Sequence, residues 1–136
     1  MDAALFKTQG AAGIGVVARN SEGVVVAWRQ KRIQHLICPE TAEALAVLEG
    51  VRLTGQLGWQ KVSIESNCLS IIKAINSTEV CLLAAGHLID EIKGLSSSFS
   101  VISFDHAYRT ANFEAHFLAK SADRDLEGTQ LPSFFV

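Results

Sequence analysis

The chain has 136 residues, 49% of them apolar and 19% charged, with a formal net charge of −2. That length suits one domain with its own core, and that balance excludes a disordered tail and argues against tight binding to phosphate backbones. No apolar run approaches the ~20 residues of a membrane-spanning helix, and Met1-Asp2-Ala3-Ala4 lacks the basic and apolar regions of a secretory signal.

Met1 to Phe6 reads as a short strand, with Gly10-Ala11-Ala12-Gly13 as the turn after it. Gly13 to Asn20 and Val24 to His35 are β-rich runs around Asn20-Ser21-Glu22-Gly23, a turn cluster that predicts a hairpin. Pro39 suits the first turn of a helix, and Glu40 and Glu43 are favourable near its positive end. That helix carries Leu45, Leu48, Val51 and Leu53 and is expected to stop at Gly58. Lys61 to Glu65 reads as a strand, after which Ser66 or Asn67 can cap a helix through Leu69, Ile71, Ile72 and Ile75. A further amphipathic helix is predicted from Val80 to Leu95, then a strand from Phe99 to Phe104 and a closing helix from Arg109 to Arg124. Residues 125–136 form a tail ending in Phe134-Phe135-Val136, and the sequence leaves open whether it docks. Three antiparallel strands followed by strand–helix alternation predict an α/β fold, a mixed sheet with helices on both faces.

Cys38, Cys68 and Cys81 are odd in number and lack metal-ligand spacing, so they read as small buried thiols in a reducing, cytoplasmic or nuclear compartment; a non-secreted monomer is expected. In that compartment Asn76-Ser77-Thr78 is a loop and not a glycan acceptor. The nearest approach to a basic footprint is Arg29, Lys31 and Arg32, with Lys61, Lys73, Arg109 and Lys120 scattered elsewhere.

Four polar stations punctuate the pattern: Asp2 in the first strand, Glu43 in Pro39-Glu40-Thr41-Ala42-Glu43-Ala44, Asn67 in Glu65-Ser66-Asn67-Cys68, and His116 in Asn112-Phe113-Glu114-Ala115-His116-Phe117. Their order resembles the ribonuclease H-like superfamily, in particular the reverse-transcriptase-associated domain of plant retroelements. The resemblance runs from Met1 to Arg124 and implies a three-layer domain over 1–124, with a five-stranded sheet whose first strand is central. It implies binding of an RNA–DNA hybrid and hydrolysis of its RNA strand with two divalent ions, usually Mg2+. Asp2, Glu43, Asn67 and His116 would form the metal-binding set, and His106 would be a loop histidine serving proton transfer or product release. Family members carry carboxylates at the first three stations, so Asn67 departs from the pattern, whereas a histidine such as His116 is common in the plant branch. They also carry more residues ahead of the first acid, so the central strand is expected to fray at Asp2.

Plainer roles stand beside these. Glu43 could complement the helix dipole, but an unpartnered carboxylate on an Ala/Leu face is costly, which favours a metal or hydrogen-bond role. Asn67 suits a helix cap as well as a ligand, His116 a packed polar residue, and His106 a surface loop. Mg2+ demands hard oxygen donors; Asn67 keeps an oxygen but loses a charge, and the His116 nitrogen suits Mn2+ better. One weak site biased toward Mn2+ is therefore expected. Two functions stay open: a slow hybrid ribonuclease, or a degenerate retroelement relic that keeps the fold with weak or no nucleic-acid binding.

Overall fold

Strands β1 (Asp2–Lys7), β2 (Gly13–Arg19) and β3 (Val25–Arg32) form an antiparallel meander in the computed structural model, which describes residues 2–7, 13–32, 39–78, 85–107 and 126–128. The hairpin after β2 closes as its turn residues require. Asn20 Oδ1 accepts the Glu22 and Val24 amides at 2.9 and 3.0 Å, and Gly23 takes a φ of 80° that side-chain-bearing residues rarely adopt. The chain continues through α1 (Pro39–Gln56), β4 (Lys61–Ser66), α2 (Leu69–Asn76), α3 (Gly86–Ser96), β5 (Val101–His106) and β6 (Leu126–Gly128). The sheet order is β5-β4-β1-β2-β3-β6, with β4 parallel to both β1 and β5.

Period-two alternation puts Val62, Ile64 and Ser66 of β4 on one buried face, where they join Ile14, Val16 and Ala18 of β2. Val47, Leu48 and Val51 of α1, Ile71 and Ile75 of α2, and Leu88, Ile89 and Ile92 of α3 belong to the same core. Ala42, Ala44 and Ala46 are fully buried, and side chains no longer than a methyl let α1 approach closely. Helix α1 ends as predicted: Gly58 has φ 76°, its amide reaches Gly55 O at 3.1 Å, and the Trp59 amide reaches Thr54 O at 3.1 Å. These are the paired bonds of a left-handed glycine stop. No helix among the described residues is long and apolar enough to cross a membrane.

Several expectations change. Strand β5 starts at Val101 and not at Phe99, because the Ser97, Ser98 and Phe99 amides bond back to Gly94, Leu95 and Ser96 and prolong the turn after α3. Asp2, expected at a loose strand end, is paired with Arg19 on one side and Ser63 on the other. A strand at the centre of a sheet that left either neighbour unpaired would strand buried backbone groups, and β1 occupies a register that avoids this. The closing helix Arg109–Arg124, His116, Cys38, Cys81, the turn at 10–12, residues 79–84 and the Phe134-Phe135 end lie outside the described residues.

The five expected strands gain a sixth from the tail. Glu127 lies opposite Arg29 and Gly128 opposite Trp28, and Arg29 Nε donates to Glu127 Oε2 at 2.8 Å. Gly128 is needed here, since a Cβ on it would stand 2.7 Å from Trp28 Nε1. Gly128→Ala is expected to cost about 1–3 kcal/mol by forcing the indole or β6 aside, read as a lower urea midpoint in circular dichroism; an unchanged midpoint would show that the contact yields freely.

Beneath α1 the same Arg29 enters an ion network. Its Nη1 donates to Glu49 Oε2 at 3.3 Å and its Nη2 donates to Gln56 Oε1. Glu49 Oε1 also receives Lys31 Nζ at 3.0 Å and Arg52 Nη1 at 3.2 Å, and Arg52 Nη2 donates to Glu91 at 2.8 Å. Arg29 and Glu49 are 8% and 5% exposed, so this pair belongs to the interior.

Candidate active site

Strand β4 runs to Ser66, and its carboxyl end is where chemistry-bearing residues gather. Open sheets of this kind tend to bind ligands beyond the carboxyl ends of their strands. His106 ends β5 directly opposite Ser66, and the Ala107 amide donates to Ser66 O at 2.9 Å. Asn67 follows Ser66, so Asn67 and His106 share one sheet edge. His106 is exposed, whereas the Asn67 Oδ1 atom is buried and has no hydrogen-bond partner. Glu43 sits on the second turn of α1, 8% exposed among the buried alanines, and α1 packs on β1, β2 and β4.

Asn67 is not the helix cap that its type allows. Cys68 takes the cap position of α2, with φ −94° and ψ 96° and no side-chain cap bond. The capping-type bond belongs to Ser66, whose Oγ accepts the Cys68 amide at 3.1 Å. The Asn67 carboxamide oxygen is thereby released from backbone duty.

Asp2 stands elsewhere along the sheet. Its register partner on β4 is Ser63, and Leu5 takes the place opposite Ser66. Asn67 is four residues beyond Ser63, about 13 Å along a strand at ~3.3 Å per residue. The register thus brings Asn67 and His106 together and leaves the Asp2 backbone short of them. Among the described residues, no three His, Cys, Asp or Glu side chains group as a metal site.

Arg29 and Lys31 of the basic cluster read from the sequence are engaged in ion pairs. Arg29 is buried against Glu49, Glu127 and Gln56, and Lys31 is paired with Glu49. Ser66 stands at the same edge as Asn67 and His106, at a position the four stations do not mark. The available signal was a serine at a buried position in the strand's alternation, one residue before the polar station.

The profile of the reverse transcriptase-like family matches residues 1–122. The chain belongs to this family. That stretch holds Asp2, Glu43, Asn67, His106 and His116. No curated protein sequence matches the chain. Among solved structures, the reverse transcriptase-like domain is similar to ribonuclease H1 from the halophilic archaeon Halobacterium salinarum, with TM-score 0.78 and 18% identity over 87% of this chain and 92% of that one. It is similar to LC11 ribonuclease H1 in complex with an RNA/DNA hybrid, with TM-score 0.76 and 17% identity over 87% and 92%. The N-terminal ribonuclease H domain of a Mycobacterium tuberculosis protein gives TM-score 0.73 and 17% identity over 87% and 90%. At such identities the likeness establishes the fold, which is ribonuclease H-like.

Proposed function

We propose that this reverse transcriptase-like domain, of plant retroelement descent, binds RNA–DNA hybrid and hydrolyses its RNA strand slowly with a single weakly held divalent ion. The observation that carries the reading is the Asn67 Oδ1 atom, buried at the strand edge without a donor. A buried acceptor with no partner is costly, and an ion or a substrate donor relieves it. Glu43 supplies the negative charge, Asn67 a neutral hard oxygen and His116 a nitrogen, a donor set that suits Mn2+ better than Mg2+. A bound ion supplies Lewis-acid polarisation of the phosphoryl oxygen. Glu43 and Asn67 would hold the ion against the scissile phosphate; water would attack the phosphorus as the bond to the leaving oxygen breaks, and exposed His106 would carry a proton to that leaving oxygen.

Hydrolysis of a labelled RNA–DNA hybrid tests the proposal. Slow cleavage is expected, faster with Mn2+ than with Mg2+. Glu43→Ala is expected to lower it by about 100-fold, since the charge stabilisation at stake is several kcal/mol and each 1.36 kcal/mol is tenfold. Calorimetric titration is expected to find at most one weak site; two tight Mg2+ sites in the free protein would contradict the charge count. A second reading, a ribonuclease H-like module without turnover, is favoured by the Asp2–Ser63 register and the pairing of Arg29 and Lys31 with Glu49. Hybrid binding without cleavage in either metal would select it.

A further inference from the structure

We infer that Ser66 is a positioning residue whose hydroxyl fixes the turn holding Asn67 at the same sheet edge as His106. This rests on the reading of that edge as the reactive site. Ser66 is 0% exposed and continues the buried row of Val62 and Ile64, a place where an aliphatic side chain would pack at no polar cost. A hydroxyl there must be satisfied, and it is: Oγ accepts the Cys68 amide at 3.1 Å. The Ser66 carbonyl accepts the Ala107 amide at 2.9 Å, and His106 is its register partner on β5. One residue therefore ties the strand end forward to the first residue of the α2 cap and sideways to the segment carrying His106.

Asn67 lies between the two ends of the forward tie. Cys68 has no side-chain cap bond of its own, and its carbonyl is already the acceptor for the Ile72 amide at 3.2 Å. The Ser66 hydroxyl is thus the side-chain bond that bridges strand and helix across Asn67. Without it the Cys68 amide loses its acceptor, the 66–68 turn relaxes, and the Asn67 oxygen no longer holds one direction. Residues that orient ligands from behind typically change metal affinity 10–100-fold when removed.

The test uses the full chain with Mn2+ alone, read by calorimetry and by paramagnetic broadening of histidine ring signals. His87, exposed on α3, serves as the surface reference. Mn2+ is expected to broaden His106 ahead of His87 in the wild type. Ser66→Ala is expected to weaken Mn2+ binding by at least ~10-fold, and Ser66→Thr, which restores a hydroxyl, to remain within about 3-fold of wild type. Without metal, amide exchange at Cys68 should accelerate in Ser66→Ala relative to Ile72, and not in Ser66→Thr. If Ser66→Ala does not fold, Ser66→Cys, with nearly the same shape and a weaker acceptor, replaces it. Wild-type Mn2+ affinity or unchanged Cys68 exchange in a folded variant lacking the hydroxyl would overturn the role of Ser66 and leave the site reading standing. Absence of selective His106 broadening in the wild type would instead overturn the metal reading of the edge, and the inference with it.

Discussion

Glu49→Ala is expected to destabilise the protein by about 3–5 kcal/mol, the cost of leaving a buried charge without its partner. Arg29 is 8% exposed and, among the described residues, would keep Gln56 and Glu127, the latter with a side chain 67% exposed and screened by solvent. Lys31 and Arg52, also bound to Glu49, would add repulsion in place of neutralisation. Against a typical domain stability of ~5–15 kcal/mol, the loss brings the fold close to its limit. Urea denaturation should show a lower midpoint with an unchanged slope. The double variant Arg29→Met with Glu49→Leu should recover most of the loss, since a buried pair replaced by packed apolar groups is often neutral or better. A loss below ~1 kcal/mol for Glu49→Ala would put the network in the class of weak surface pairs.

Asn67→Asp should change stability and activity in opposite directions. The side-chain length is kept, but the Oδ1 position is buried without a donor, so a carboxylate there costs the metal-free protein about 1–3 kcal/mol. Asn67 makes no cap bond that an aspartate could inherit, because Cys68 holds the cap position of α2. Metal should return the loss, since a ligand that binds only the folded state stabilises it in proportion to ln(1 + [L]/Kd). Hybrid cleavage in Mg2+ should rise at least ~10-fold, which requires only ~1.4 kcal/mol from the added ligand charge. Glu43→Ala in the same background should abolish the gain. A folded Asn67→Asp protein whose melting temperature ignores Mg2+ and whose cleavage equals wild type would remove Asn67 from the metal site.

Much of the fold was legible because its signals are local. The Asn20–Gly23 turn, Pro39 at the start of α1 and Gly58 at its end each dictate backbone geometry by residue type. The register of β1 was not legible. Ala3-Ala4-Leu5-Phe6 has no polar–apolar alternation to penalise a slide, so pairing along β2 and β4 decides where Asp2 lies. Strand β6 is three residues long, too short for any period to show. The Arg29–Glu49 pair joins a strand to a helix 20 residues on, a contact that spacing alone does not encode. At the site, the stations located Asn67, but only the structure shows that its oxygen is free of backbone bonds and that Ser66 carries the turn.

The bare backbone of Gly128 against the Trp28 indole gives the molecule an optical reporter of its own terminal segment. Only two tryptophans are present, and Trp59 is half-buried against the core. In a Trp59→Phe background, emission would come from Trp28 alone, a ring 7% exposed that reports its polarity directly. Departure of Leu126–Gly128 from β3 would admit water to the ring and move the emission to longer wavelength while the helices stay intact. Fluorescence and far-ultraviolet dichroism recorded together would therefore separate loss of the sheet's sixth strand from loss of the fold.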